Sequence, residues 1–91
     1  MTIKWTSKAL SDLVSLYEFL AVKDKLAAAR TVQLLSAVPD RLVDQARIGE
    51  KLEEFDPREV RRIVAGRYEM RYEIQESVIS VLRIWHTRED R

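Results

Sequence analysis

Tyr68-Glu69-Met70-Arg71-Tyr72-Glu73-Ile74-Gln75 alternates apolar and polar side chains without a break. Successive side chains of a strand point to opposite faces, so this stretch reads as a half-buried antiparallel strand. Gly66-Arg67, just before it, is a candidate hairpin turn, and Val60 to Ala65 on the other side of that turn reads as the partner strand. Gln75-Glu76-Ser77 turns the chain again. Val78-Ile79-Ser80-Val81-Leu82-Arg83-Ile84-Trp85 follows, apolar on both faces, which predicts the central strand of the sheet. A polar tail, His86 to Arg91, leaves it.

Working back toward the N-terminus, the period changes from two to three and four. Thr2–Trp5 places Ile3 and Trp5 on one face, a short strand signal, and Thr6 and Ser7 can cap a helix. Apolar residues then fall at Leu10, Leu13, Val14, Tyr17, Leu20 and Ala21, an amphipathic helix with Asp12, Ser15 and Glu18 on its wet face. It fades at Val22 to Lys25. A second helix begins near Leu26, with Ala28, Val32, Leu35, Leu42 and Ala46 on one stripe. Pro39 removes the hydrogen bond to the Leu35 carbonyl, which predicts a kink or break near Val38 before the helix resumes to about Gln45. The short link makes the two helices an antiparallel hairpin. Gly49 stops the helical region. Glu50 to Arg58 reads as a charged loop, with room for a turn of helix or a short strand at Lys51–Phe55, and Leu52 and Phe55 pin it to the core. The order is β-α-α-β-β-β. The expectation is an α+β fold: one domain over residues 1–91, an N-terminal strand and an α-helical hairpin packed on a C-terminal antiparallel sheet.

Composition narrows the chemistry. The 91 residues are 46% hydrophobic and 34% charged, a globular composition. The net charge of +1 argues against a general nucleic-acid binder, which needs a strongly basic surface. With no cysteine there is no disulfide, no Cys-ligated zinc and no thiol nucleophile, and a single histidine cannot build a His-rich metal site. No phosphate loop or dinucleotide fingerprint is present, so neither cofactor nor metal is expected. No secretory signal opens the chain, and no apolar run approaches the roughly 20 residues of a membrane span. A cytoplasmic protein without membrane contact is expected.

What remains is a set of arginines on the sheet half: Arg58, Arg61, Arg62, Arg67, Arg71, Arg83, Arg88 and Arg91. Strand alternation puts Arg83 on a face with Ile79, Val81 and Trp85, and Arg61 with Ile63 and Ala65. Two readings stand side by side. Either these side chains lie on the sheet and pair with Glu59, Glu69 or Glu73, or they form a shallow site for an anionic ligand. His86, at the end of the last strand, is either hydrogen-bonded to backbone or a general acid beside a phosphate. Trp5, Tyr17, Tyr68, Tyr72 and Trp85 fall at core spacing and read as core.

The stretch from Glu59 to Ile74, then Val81-Leu82-Arg83-Ile84-Trp85-His86-Thr87-Arg88, resembles the RelE/ParE superfamily of bacterial toxins, as does the helix opening Ala9-x-x-Asp12-Leu13. The resemblance covers nearly the whole chain. It implies the toxin half of a type II toxin–antitoxin pair, in a hetero-oligomer with a ParD-like or similar antitoxin that is acidic and partly disordered. Leu16, Leu20, Arg58, Arg67 and Arg71 are the antitoxin contacts expected on this basis. The end of the chain is more similar to the ParE branch, which poisons DNA gyrase and ends in Arg-x-x-His-x-x-Arg. Arg83 and His86 fit that pattern and Arg88 falls one place off it. Arg83, His86, Arg88 and Arg91 then face the target, and the protein is a binder rather than an enzyme. The alternative is a RelE-like, ribosome-dependent mRNA endoribonuclease, with Arg61 or Arg62 and Arg83 on the phosphate and His86 as the acid. Such nucleases carry a Tyr after the last strand and several lysines in the cleft. Here Thr87 follows His86, no Tyr lies beyond Tyr72, and only Lys51 is near. A third reading is a relative that binds its antitoxin without being toxic.

Overall fold

The computed structural model describes residues 1–88; Arg91, one of the expected target contacts, lies outside the described residues. The elements are β1 (Thr2–Trp5), α1 (Ser7–Ala21), α2 (Lys25–Asp44), β2 (Glu50–Lys51), a 3-10 turn (Glu53–Phe55), β3 (Glu59–Ala65), β4 (Tyr68–Gln75) and β5 (Val78–His86). The strands form one sheet in the order β1-β5-β4-β3-β2. The architecture is the expected α+β one, with the Lys51–Phe55 segment contributing both a short strand and a turn of helix. The helical hairpin covers one face of the sheet. No helix among the described residues is long and apolar enough to cross a membrane.

One expectation about the sheet needs correction: the central strand is β4, not β5. The C-terminal strands β3, β4 and β5 pair antiparallel as expected, and β1 joins β5 in parallel, Thr2 beside Val78 through Trp5 beside Val81, which makes the whole sheet mixed. An apolar strand signals burial on both faces, and a strand second from the edge satisfies that as well as a central one.

Local chemistry explains the helix starts. Thr6 Oγ1 accepts the Ala9 N–H at 3.1 Å and caps α1. Asp24 caps α2 by accepting the Ala27 N–H at 3.0 Å. Such caps are typically worth about 1 kcal/mol each. Pro39 does not break α2, which runs unbroken from Lys25 to Asp44 with Pro39 fully buried. Apolar packing of Leu35, Val38 and Leu42 around it holds the helix across the missing hydrogen bond.

The core face of α1 takes only part of the expected stripe, keeping Leu13 and Leu20. Ala9 is fully buried, with Leu13 and Leu16 packed on the cluster of Leu35, Val38, Met70, Val81 and Ile84. Leu10, Val14 and Tyr17 are exposed instead. Residues 9, 13, 16 and 20 and residues 10, 14, 17 and 21 are two adjacent rows with the same spacing. Periodicity merges them; contact with α2 and β5 selects one. A second cluster joins Leu42, Ala46, Tyr72, Ile74 and Ile79. Of the aromatics read as core, Tyr72 is fully buried and Trp5 and Tyr68 pack on the first cluster, but Tyr17 is exposed and Trp85 is buried on the opposite sheet face.

Candidate functional site

The site forms where β1 runs out. Its last residue, Trp5, pairs with Val81, and the chain then turns into α1. The remainder of β5 is left without a strand neighbour on that side, and α1 supplies the missing partners. The Thr6 hydroxyl donates to the Val81 carbonyl at 2.8 Å. Nearly two turns on, Asp12 Oδ2 accepts the Ile84 backbone N–H at 2.9 Å, as a strand carbonyl would have done. The same carboxylate takes the Arg83 guanidinium, with Nε at 2.7 Å and Nη2 at 3.3 Å. Asp12 is therefore not on the wet face; its side chain is 17% exposed.

Arg83 reaches Asp12 because β5 carries a bulge. Tyr72 of β4 faces Val81, but Arg71 faces Arg83, so Leu82 is the extra residue. Ile84 then shares the helix-covered face with Val81, and Arg83 and Trp85 turn to the other face. The expectation that Arg83 shares a face with Ile79 and Val81 fails for this reason. Arg83 does keep Trp85, with its guanidinium carbon 5.5 Å from the ring centroid. Arg71, across the strand, is sandwiched between Phe55 at 5.2 Å and Trp85 at 4.7 Å. Phe55 thus holds its loop on the outer sheet face rather than on the core.

The sheet arginines are mostly committed to carboxylates. Arg58 forks onto Glu73 at 2.8 and 3.0 Å. Arg61 bonds Glu59 at 2.9 Å and the Gly49 carbonyl at 2.7 Å. Arg62 meets Glu50 at 2.7 Å and the buried Glu69 at 3.2 Å. The pairing reading therefore describes Arg58, Arg61 and Arg62, and Arg83 finds its carboxylate on α1. Arg67 and Arg88 have no ion-pair partner among the described residues. The Thr87 N–H, one residue before Arg88, donates to the Arg67 carbonyl at 2.9 Å and ties the strand end to the hairpin turn.

Arg47 and Arg61 hold the Glu59 carboxyl below its ordinary value of 4.5, and Arg58 does the same for Glu73. A carboxylate depressed on folding stabilises the fold above its unfolded pKa, and that contribution is lost as pH falls through the folded value. The urea midpoint is therefore expected to hold from about pH 7 to about pH 5 and then to fall. Glu73→Gln should lower the plateau and flatten the acid limb. An unchanged limb in that variant would show that the Arg58 pair carries no linkage.

His86 sits on the helix side of the sheet end. Its ring meets Tyr68 edge-on, centroids 5.3 Å apart, and its Nδ1 accepts the Arg88 N–H at 3.1 Å. The histidine is thus hydrogen-bonded to backbone, through an N–H rather than a carbonyl. Beside it, between α1 and the end of β5, opens a cavity of about 520 Å³. Leu16, Phe19, Ile84 and Trp85 give it apolar walls; Asp12, Arg83, His86 and Arg88 lie along its polar side.

This cavity gathers some expected residues and leaves others apart. Arg83, His86, Arg88 and Leu16 line it together. Arg61 and Arg62 do not join them. Arg62 lies on the outer face in the row Arg62–Arg71–Arg83, and Arg61 stands level with Tyr72 and Val81, next to Gly49. Among the other expected antitoxin contacts, Leu20 is half-buried on α1, Arg67 is exposed in the hairpin turn, Arg58 is exposed beside Glu73, and Arg71 is sandwiched on the outer face. Among the described residues, no His, Cys, Asp and Glu side chains converge as a metal site.

The family model for the ParE toxin of type II toxin–antitoxin systems, parDE, matches residues 3–91. The chain belongs to the ParE toxin family. No curated protein matched the sequence. A solved structure of the chromosomal ParDE toxin–antitoxin system from P. aeruginosa contains a similar chain, with a TM-score of 0.79 and 26% identity over 94% of this chain and 95% of that one.

Asp12, Phe19 and Tyr68 are residues of the ParE cavity that reading the sequence for a site did not find. Phe19 carried a usable signal. It is a large aromatic off the apolar stripe of α1, and it is 79% exposed. Asp12 carried only its place in the Ala9-x-x-Asp12-Leu13 pattern, because by itself one helical carboxylate looks like any other until the strand end it caps is known.

Proposed function

We propose that this chain is a toxin that arrests growth by poisoning DNA gyrase and is neutralised by a ParD-like antitoxin. The family match over residues 3–91 carries the reading. The site supports it in a second way. Arg83, His86 and Arg88 stand together at one end of the sheet, while Arg61 and Arg62 lie elsewhere. That grouping suits a surface for binding a macromolecule, whereas Arg61 and Arg62, which a phosphate-cleaving site would need, are engaged by Glu59, Glu50 and Glu69.

The test is a supercoiling assay with purified gyrase, with and without antitoxin. Inhibition with accumulation of cleaved DNA, reversed by antitoxin, is expected. Unaffected gyrase together with ribosome-dependent mRNA cleavage, lost in His86→Ala, would replace this reading with the nuclease one. Deleting Thr87–Arg91 should abolish growth arrest while circular dichroism shows the chain still folded. Full arrest by the truncated chain would remove the tail from the target surface.

A further inference from the structure

Resting on the target surface proposed above, we infer that Arg71 is a positioning residue for it. Its charge, held between two aromatic rings, turns the Arg83 guanidinium off the sheet and onto Asp12, where Arg83 joins His86 and Arg88 along the cavity.

Three observations carry this. The first is register. Arg62 of β3, Arg71 of β4 and Arg83 of β5 stand opposite one another on the face away from the helices. Side chains directly opposite on adjacent strands have Cβ atoms about 4.5–5.5 Å apart, and like charges there repel. The bulge at Leu82 creates the second of these pairs, because it brings Arg83 onto this face beside Arg71. The second observation is how Arg71 is held. Its guanidinium carbon lies 5.2 Å from the Phe55 ring centroid and 4.7 Å from that of Trp85. Its Nε is buried and makes no hydrogen bond among the described residues, and Glu69 Oε2 stands 3.9 Å from Nη2, too far for a hydrogen bond. Aromatic faces hold a guanidinium in place without neutralising it. The side chain is 24% exposed, so water screens that charge incompletely. The third observation is where Arg83 goes. Two carboxylates lie near it, Glu69 diagonally across on β4 and Asp12 on α1. Glu69 already takes Arg62 at 3.2 Å, with Arg71 beside it. Arg83 turns the other way and forks onto Asp12 at 2.7 and 3.3 Å. Without the charge at position 71, the way across the sheet is open to it as well.

NMR of the arginine Nε–H groups in the full chain reads this arrangement directly. A charge-assisted bond of 2.7 Å should slow exchange of the Arg83 Nε–H with water, against the exposed Arg30 on α2 as internal control. Arg71→Met and Arg71→Gln both remove the charge, one with an apolar and one with a polar side chain, so either suffices if the other fails to fold. Arg71→Lys keeps the charge. In a folded neutral variant, Arg83 protection should fall about fivefold and the concentration for half-inhibition of gyrase should rise about fivefold. Arg71→Lys should stay within about twofold of the parent in both.

A purely structural residue would lose activity in step with the urea midpoint, whatever the charge, and that pattern overturns the inference. Parent-like Arg83 protection in a folded neutral variant overturns it too. Equal losses in Arg71→Lys and the neutral variants also overturn it, in favour of the planar stack alone. Failure of both neutral variants to fold would make Arg71 a residue of the fold and nothing more. Gyrase unaffected by the parent chain overturns the gyrase reading but not this one, since Arg83 protection still reports where the side chain points and growth arrest replaces gyrase inhibition as the activity.

Discussion

Asp12→Ala is expected to cost about 2–4 kcal/mol, because one carboxylate serves two elements and its loss strands both. The Ile84 N–H loses the acceptor that stands in for a missing strand, and Arg83 loses a partner bound at 2.7 Å. Hydrogen bonds to charged groups are worth about 1.5–3 kcal/mol each, and the Asp12 side chain is only 17% exposed, so water replaces them incompletely. For a chain of 91 residues that corresponds to a fall in melting temperature of roughly 10–20 °C. Asp12→Asn keeps the shape and an acceptor for Ile84 but not the charge, and should fall about midway. The functional effect should exceed what lost stability explains. Freed from Asp12, the bulge at Leu82 no longer fixes the aim of Arg83 and His86. Growth arrest should then drop even at temperatures where circular dichroism shows the variant folded. A melting temperature within a degree or two of the parent would show that the contact contributes little.

Gly49→Ala should be at least as damaging for a different reason. A Cβ at this position would stand 2.6 Å from the Arg62 carbonyl oxygen and 2.6 Å from the Tyr72 hydroxyl. Neither neighbour can yield. The first is strand backbone in β3. The second is a buried hydroxyl that donates to the Ala46 carbonyl at 2.7 Å and accepts the Gly49 N–H at 3.0 Å. Burial raises the Tyr72 phenol above its ordinary value of 10.0, so it remains a neutral donor across the physiological range. Overpacking of this kind costs about 1–3 kcal/mol, and breaking the Tyr72 bonds adds about 1–3 more. Tyr72→Phe isolates the second part, since it removes the hydroxyl without the clash; about 1–3 kcal/mol is expected in urea unfolding. A Gly49→Ala variant as stable as the parent would mean that the α2–β2 connection moves freely away from Tyr72.

These two sites also mark where sequence reading stopped. Gly49 was legible as a stop after the second helix, but α2 ends earlier, at Asp44, and the glycine is required for close approach to Tyr72. Asp12 was legible only as part of the Ala9-x-x-Asp12-Leu13 pattern of the resemblance. Its partners lie 71 and 72 residues away, and no local rule connects them. Arg83 was misplaced by strict alternation, since a single bulge residue reverses every face beyond it.

By itself the sequence determined the order and type of the elements. A strand period of two over Tyr68–Gln75, helical spacings over α1 and α2, and caps at Thr6 and Asp24 are local properties, set by backbone geometry within a few residues. The resemblance in the last strand also pointed to the family before any fold was known. Only the tertiary structure decided which of two equivalent rows of α1 is buried, that β1 joins β5 in parallel, and that Arg83 finds its carboxylate on α1. Each of these is a choice among locally equal alternatives, and the free energy that separates them comes from contacts between residues far apart in the chain. The cavity beside His86 is of the same kind: it exists because β1 is shorter than β5 and α1 covers only part of the strand end left over.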